Sequence, residues 1–138
     1  MNKQNIIQDY NPDIMFIGET PDRMDEIENL TQDIYLNGKK IYITSVVKCK
    51  LPGDRNPNRR EIKDNSKWLE NQIKLIKPKL IILVGRIALK RFFPNLELLE
   101  THGKKIEKHI PKIGSFTFLP TYRPVVDYLK IREDLENV

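Results

Sequence analysis

The residues of this chain that could do chemistry lie in short segments that follow apolar runs. Gly18-Glu19-Thr20-Pro21 comes straight after Ile14-Met-Phe-Ile17. A glycine there permits a tight turn and close approach of a ligand to the backbone, and a carboxylate beside it can act as a base or orient a water. The same tetrapeptide also reads as an ordinary strand–helix turn, with Glu19 favouring the helix N-terminus. Lys48-Cys-Lys-Leu-Pro-Gly-Asp-Arg-Asn-Pro-Asn58 is long and basic for such a connection. Lys48, Lys50 and Arg55, with Arg59 just beyond, would suit phosphate contacts, or else form a solvated loop. Tyr122 and Arg123 sit between Pro120 and Pro124. One could stack on a base and the other hold a phosphate; the plainer alternative has Tyr122 packing the sheet end and Arg123 at the surface. His102 and His109 flank a lysine-rich segment with no acidic or cysteine partner at ligand spacing, so no metal site is expected. Cys49 has neither histidine near it in sequence and is not read as a nucleophile.

Composition bounds what these segments can belong to. A chain of 138 residues, 39% apolar and 31% charged, is expected to form one domain spanning residues 1–138 with one core. A single cysteine excludes an internal disulfide and cannot by itself build a metal or iron–sulfur site, so no cofactor is expected. No apolar run approaches the roughly 18 residues of a spanning helix. Residues Met1–Gln8 show no apolar leader, so a cytoplasmic, membrane-free monomer is expected. The net charge of +5 leans toward a polyanionic partner. It is unevenly spread: residues 48–67 and 104–112 are basic, with Lys104 opening the second stretch, whereas residues 19–33 are acidic. Such segregation favours a directed electrostatic face.

The apolar pattern supplies the elements that must position these residues. Residues 13–17, 41–47, 80–84 and 115–119 read as buried strands. Helices are predicted over 23–36, capped by Asp22, over 59–77, from Gly85 to Phe93, and over 125–136. Trp68 falls on the apolar stripe of the second helix and is expected in the core. Alternating strands and helices with near-continuous apolar strands argue an α/β fold: three α/β/α layers around a four-stranded parallel sheet. Its loops then begin at Gly18, Lys48, Gly85 and Pro120 along one sheet edge, where ligands bind in open α/β folds.

Taken together, the loops resemble a known family. Ile14-Met-Phe-Ile-Gly-Glu-Thr-Pro21 is similar to the first motif of family 4 uracil-DNA glycosylases, an apolar strand running into Gly-Glu-x-Pro. Tyr42-Ile-Thr-Ser-Val-Val-Lys-Cys49, followed by Pro52, Arg55, Pro57, Glu61 and Leu69-x-x-Gln-Ile73, resembles its second block. Ile76-Lys-Pro-Lys-Leu-Ile-Ile-Leu-Val-Gly85 resembles its third strand, and Gly103-Lys104 with Leu119-Pro-Thr-Tyr-Arg-Pro124 the approach to its His-Pro-Ser motif. The resemblance covers residues 13–124. It implies a DNA glycosylase that binds single- or double-stranded DNA and hydrolyses the N-glycosidic bond of a flipped uracil or other modified base.

By the same resemblance Glu19 and Arg123 are the catalytic candidates. Gly18, Thr20, Pro21, Ser45 and Tyr122 would contact the base, and Lys48, Lys50, Arg55, Arg59, Lys104 and Tyr128 the DNA. Several of these positions depart from the family pattern. Ser45 stands where the family has an Asn that hydrogen-bonds uracil, and one rotating hydroxyl replaces an amide's donor–acceptor pair. Arg123 replaces the histidine that stabilises the departing base. Val125-Val-Asp-Tyr-Leu129 departs from the family's wedge, though Tyr128 or Leu129 could enter the base stack. The Pro-Phe-Val-Gly segment, whose Phe stacks on uracil, is missing. Of the four cysteines that hold the family's iron–sulfur cluster only Cys49 is matched, with Asn65 at another position, so the cluster is expected to be absent. The chain reads as a compact form of the kind a phage or small genome carries. The alternatives are a catalytically impaired nucleic-acid-binding module with the same fold, and an α/β domain for protein or nucleotide binding.

Overall fold

A computed structural model describes residues 12–34, 36–136 and 138. The N-terminal stretch read for a leader lies outside them. Five strands form one sheet in the order β2-β1-β3-β5-β4, where β1 is Ile14–Gly18, β2 Ile41–Ser45, β3 Leu80–Val84, β4 Ile106–Ile110 and β5 Gly114–Thr121. Strands β1, β2, β3 and β5 are mutually parallel, as the apolar runs predicted, but β4 adds an antiparallel edge paired with β5. The sheet is therefore mixed and five-stranded, not four-stranded and all-parallel. Reading residues 104–112 for charge hid β4: in Ile106-Glu-Lys-His-Ile110 only Ile110 is fully buried, while Glu107 and His109 face solvent. Lysines on and beside an edge strand also discourage pairing with another chain.

Alternate strand residues feed two cores, one on each face. Met15, Ile17, Ile81, Leu83 and Phe118 pack with α2 (Arg59–Ile76), α3 (Arg86–Phe92) and α4 (Leu98–Thr101). Ile14, Phe16, Ile41, Ile43 and Ile82 pack with α1 (Pro21–Asp33) and α5 (Tyr128–Asp134). Helices thus cover both faces. Because α1 and α2 lie on opposite faces, the chain leaves β1 toward β2 and returns across it to β3. The β1 and β3 loops consequently diverge at one edge and leave a crevice between them.

The helix ends differ from the sequence reading for local reasons. Thr20, not Asp22, caps α1: its backbone is extended and its hydroxyl accepts from the Arg23 amide at 3.3 Å, with Pro21 as the first helical residue. That helix stops at Asp33, and Tyr35, inside the predicted span, lies outside the described residues. Asp127 caps α5 by accepting from Lys130, so the helix starts at Tyr128, and Val125 and Val126 form an exposed turn. On α2 the buried stripe is Leu69, Ile73 and Ile76, flanked by Ile62. Trp68 is displaced by about 100° around the helix from Leu69, and it is 59% exposed rather than part of the core.

Candidate functional site

The crevice at the β1–β3 switch opens into a cleft of about 470 Å³ lined by Glu19, Arg23, Gly85, Arg86, Tyr122 and Arg123, with Leu98, Leu99 and Val126 at its apolar rim. Strand register brings these residues together: Gly18 pairs with Ser45, and Val84 with Thr121, at the same sheet edge. Backbone bonds continue past the strand ends, from Val47 N–H to Glu19 O at 3.2 Å and from Gly85 N–H to Thr121 O at 2.8 Å.

Glu19 is tightly constrained in the cleft. It is only 2% exposed, and each carboxylate oxygen has a fixed donor. Oε1 accepts from Arg23 Nη1 at 2.7 Å, and Oε2 accepts from the backbone N–H of Ile87 at 2.7 Å. Gly85 makes the second contact possible. It has φ of +100°, and a Cβ there would fall 2.5 Å from Glu19 Oε2. Burying a carboxylate requires such partners, because an unpaired charge in a dry site is strongly destabilising.

Arg23 is itself 4% exposed and extends the network outward. Its Nη2 donates to the backbone carbonyl of Asp54 at 3.1 Å, and its Nε approaches Asp54 Oδ1 at 3.5 Å. This single guanidinium therefore ties the carboxylate to the long loop after β2, which holds a short helical turn at Pro52–Asp54. That loop is anchored again by Arg55, whose guanidinium donates to both Glu61 oxygens at 2.9 and 2.7 Å. The Arg55 hydrogen bonds, then the Asn58 amide, hold the Glu61 carboxyl down at about 2.

The residues singled out from sequence are distributed as follows. Glu19, Tyr122 and Arg123 meet in the cleft. Gly18 lets Ile27 of α1 pack close, since a Cβ would meet Ile27 Cδ1 at 3.0 Å. Thr20 and Pro21 build the start of α1. Ser45 is buried outside the cleft lining, its hydroxyl donating to Val47 O at 2.7 Å. Lys48 points inward: its ammonium donates to Thr44 Oγ1 and Gln72 Oε1 at 2.7 Å each and to Ser45 O, and burial lowers its pKa to about 8. Lys50 stands 3.7 Å from Asp22 at the surface, and Arg59 and Lys104 are exposed. Tyr128 lies at the start of α5 with Arg132 over its ring.

Arg123 is paired rather than free. Its Nε and Nη2 donate to the two oxygens of Glu26 at 3.1 and 2.6 Å, which raises its pKa and leaves Nη1 outside the pair. Tyr122 packs edge-on against His102, with ring centroids 5.1 Å apart, and His102 Nδ1 lies 3.0 Å from both oxygens of Asp134. That acidic partner comes from α5 and was invisible in local spacing. Sequence reasoning placed Gly85 only as the start of a ligand-edge loop, directly after the most apolar strand, and missed Arg23, Glu26, Arg86 and Ile87.

The model of the uracil DNA glycosylase superfamily matches residues 5–126. The chain belongs to that superfamily. A type-4 uracil-DNA glycosylase of Sulfurisphaera tokodaii is 31% identical over 154 residues, covering 88% of this chain and 69% of that protein. One from Archaeoglobus fulgidus is 30% identical over 144 residues, covering 91% and 72% respectively. A DNA polymerase of Bacillus phage SP01 is 33% identical over 89 residues, 60% of this chain and 10% of the polymerase. The resemblance drawn from the motifs thus holds, and the protein is DNA glycosylase-like. Among the described residues no helix is long and apolar enough to cross a membrane.

The iron–sulfur cluster implied by the resemblance does not fit this chain's residues. Four thiolates cannot come from one cysteine, and Cys49 is exposed. Asn65, at a position the resemblance gives to cysteine, is already committed: its Oδ1 accepts from the Lys48 amide at 3.0 Å and its Nδ2 donates to Glu61 O at 2.7 Å. Hydrogen bonds from Asn65, Arg55 and Arg23 hold the loop onto α2 and α1.

Proposed function

We propose that this protein is a monofunctional, monomeric DNA glycosylase that draws a base out of DNA into the cleft beside Glu19 and hydrolyses its N-glycosidic bond. The observation that carries this reading is the Glu19 carboxylate, buried at the switch point with both oxygens oriented by Arg23 and Ile87. A water hydrogen-bonded to that carboxylate adds through its oxygen to C1′ of the sugar. The C1′–N bond breaks, its electron pair leaves with the base, and the water proton passes to solvent. Positioning of this kind lowers the barrier because the charged group need not reorganise during the reaction.

Placement supports the remaining roles. Gly18, Thr20 and Pro21 hold the Glu19 turn in place. Tyr122 offers its ring to the extruded base, and Arg123, oriented by Glu26, presents Nη1 to the departing base or a neighbouring phosphate. Tyr128 and the exposed Val125, Val126 and Leu129 meet the DNA where the base has left the stack. Lys50, Arg59 and Lys104 contribute phosphate contacts, whereas Lys48 and Arg55 shape the loop. A second reading, a DNA-binding module with impaired catalysis, is favoured by the Ser45 hydroxyl turned to Val47 O and by the pairing of Arg123 with Glu26.

An abasic-site assay on oligonucleotides carrying uracil and other deaminated or modified bases separates the two. The first reading expects an abasic product with at least one base, lost in Glu19→Gln. No product from any substrate, together with salt-sensitive binding, supports the second.

A further inference from the structure

A second groove adjoins the cleft and carries concentrated positive charge. It lies between the start of α2 and α3, encloses about 420 Å³, and is lined by Arg59, Arg86, Lys90 and Arg91 over a floor of Ile62 and Ile87. Among the described residues its wall contains no carboxylate. Arg86 and Ile87 also line the cleft, so the two spaces share that stretch of wall. Two of the four cations are anchored by neighbours outside the wall: Lys90 by Glu97 at 2.9 Å and Arg91 by Glu70 at 2.8 Å. Arg91 Nε is buried without a hydrogen-bond partner among the described residues. Arg59 and Arg86 make no hydrogen bond or ion pair among the described residues, although Arg86 sits near enough to Glu97 to lower its pKa.

Guanidinium groups without carboxylate partners, gathered beside a site for an extruded base, suit the oxygens of a phosphodiester, which they bind in a fork. The apolar floor suits the faces of sugars. Two of the residues that sequence spacing offered for this task are engaged elsewhere: Lys48 is bonded internally, and Arg55 is held by both Glu61 oxygens.

We infer that the DNA strand bearing the extruded base leaves the cleft past Arg86 and runs along the α2–α3 groove, with backbone phosphates held by Arg86 and Arg59. The inference rests on the glycosylase reading and gives it a strand path. Arg86, shared by both spaces, holds the phosphate nearest the reacting sugar, and Arg59 holds one further along.

The test measures binding of full-length protein to a uracil-containing oligonucleotide across roughly 50–200 mM salt, the range in which phosphate contacts dominate. The variants are Arg59→Ala, Arg86→Ala, the double variant, and Lys74→Ala as a control. Lys74 is exposed and loses the same charge near the other end of α2. Thermal melts check that each variant folds. Each groove variant is expected to bind several-fold more weakly and to lower the salt slope by about 0.7–0.9, with Lys74→Ala unchanged. Neutral methylphosphonate linkages placed one at a time in the oligonucleotide supply a second readout. One position beside the target should weaken wild-type binding and leave the double variant indifferent. Wild-type affinity and slope in the double variant, or an equal loss in Lys74→Ala, would overturn the strand path alone. A wild-type protein that binds no oligonucleotide would overturn the glycosylase reading with it.

Discussion

On the β1–β3 side of the cleft, Glu19 is held by one buried arginine and one backbone amide. On the β5 side, Arg123 is held by Glu26, a side chain reaching across from α1. A backbone donor and a glycine-only contact leave the Glu19 carboxylate one geometry, whereas a partly exposed ion pair between long side chains can reorganise when a ligand arrives. On the proposed function, the chemistry that tolerates least displacement falls to the Glu19 side, and adaptable contacts with base or phosphate fall to the Arg123 side. The acidic stretch at residues 19–33 gains a purpose from the same contrast. Part of it is the counterion set for the arginines of the cleft, and Arg23 is the hub that joins Glu19 to the loop after β2.

The contrast can be broken most severely at Arg23. Arg23→Met leaves Glu19 buried without its ion partner and is expected to cost about 3–5 kcal/mol of stability, read from urea melts, with activity lost in parallel. Gly85→Ala attacks the other oxygen. Its Cβ would lie 2.5 Å from Glu19 Oε2, at φ of +100°, and a cost of about 1–3 kcal/mol should accompany a larger proportional loss of activity than of stability. Glu26→Gln tests the adaptable side. It should cost about 1 kcal/mol or less and tighten DNA binding at low salt, because a negative charge beside the cleft is removed.

A smaller effect concerns Lys48, buried without a carboxylate partner among the described residues, its pKa lowered from 10.5 to about 8. Between those values the unfolded chain binds a proton that the folded chain does not, so stability should rise with pH from about 8 to 10.5. Below about 8 the ammonium is charged in both states, and its contribution should be flat. Lys48→Met should lack that rise, measured as the difference in urea midpoints between variant and wild type across the window.

Much of the scaffold was legible because apolar strands and helix stripes are local signals. The four parallel strands emerged at nearly their observed limits, and the sheet edge with Glu19, Tyr122 and Arg123 followed from them. Illegible features arise from tertiary partners. The Trp68 ring falls beside the stripe rather than on it, a difference of one residue in helical phase. Strand β4 hides in a run of lysines because an edge strand needs little apolar content. Spacing offered Lys48 and the resemblance offered Ser45 as ligand contacts, and neither reveals which way a side chain turns at a strand end. Nor could spacing reveal that Arg123 meets Glu26 across 97 residues of chain.

The most direct test compares the two sides in one experiment: single-turnover release of an excised base by wild type, Glu19→Gln and Arg123→Ala at saturating protein. The expected result is a fall of about 10²–10⁴-fold for Glu19→Gln and a fall of less than about tenfold for Arg123→Ala, with the charge-conserving Arg123→Lys near wild type. Glu19→Gln at the wild-type rate, or Arg123→Ala as the more severe variant, would contradict the assignment of the chemistry to the Glu19 side.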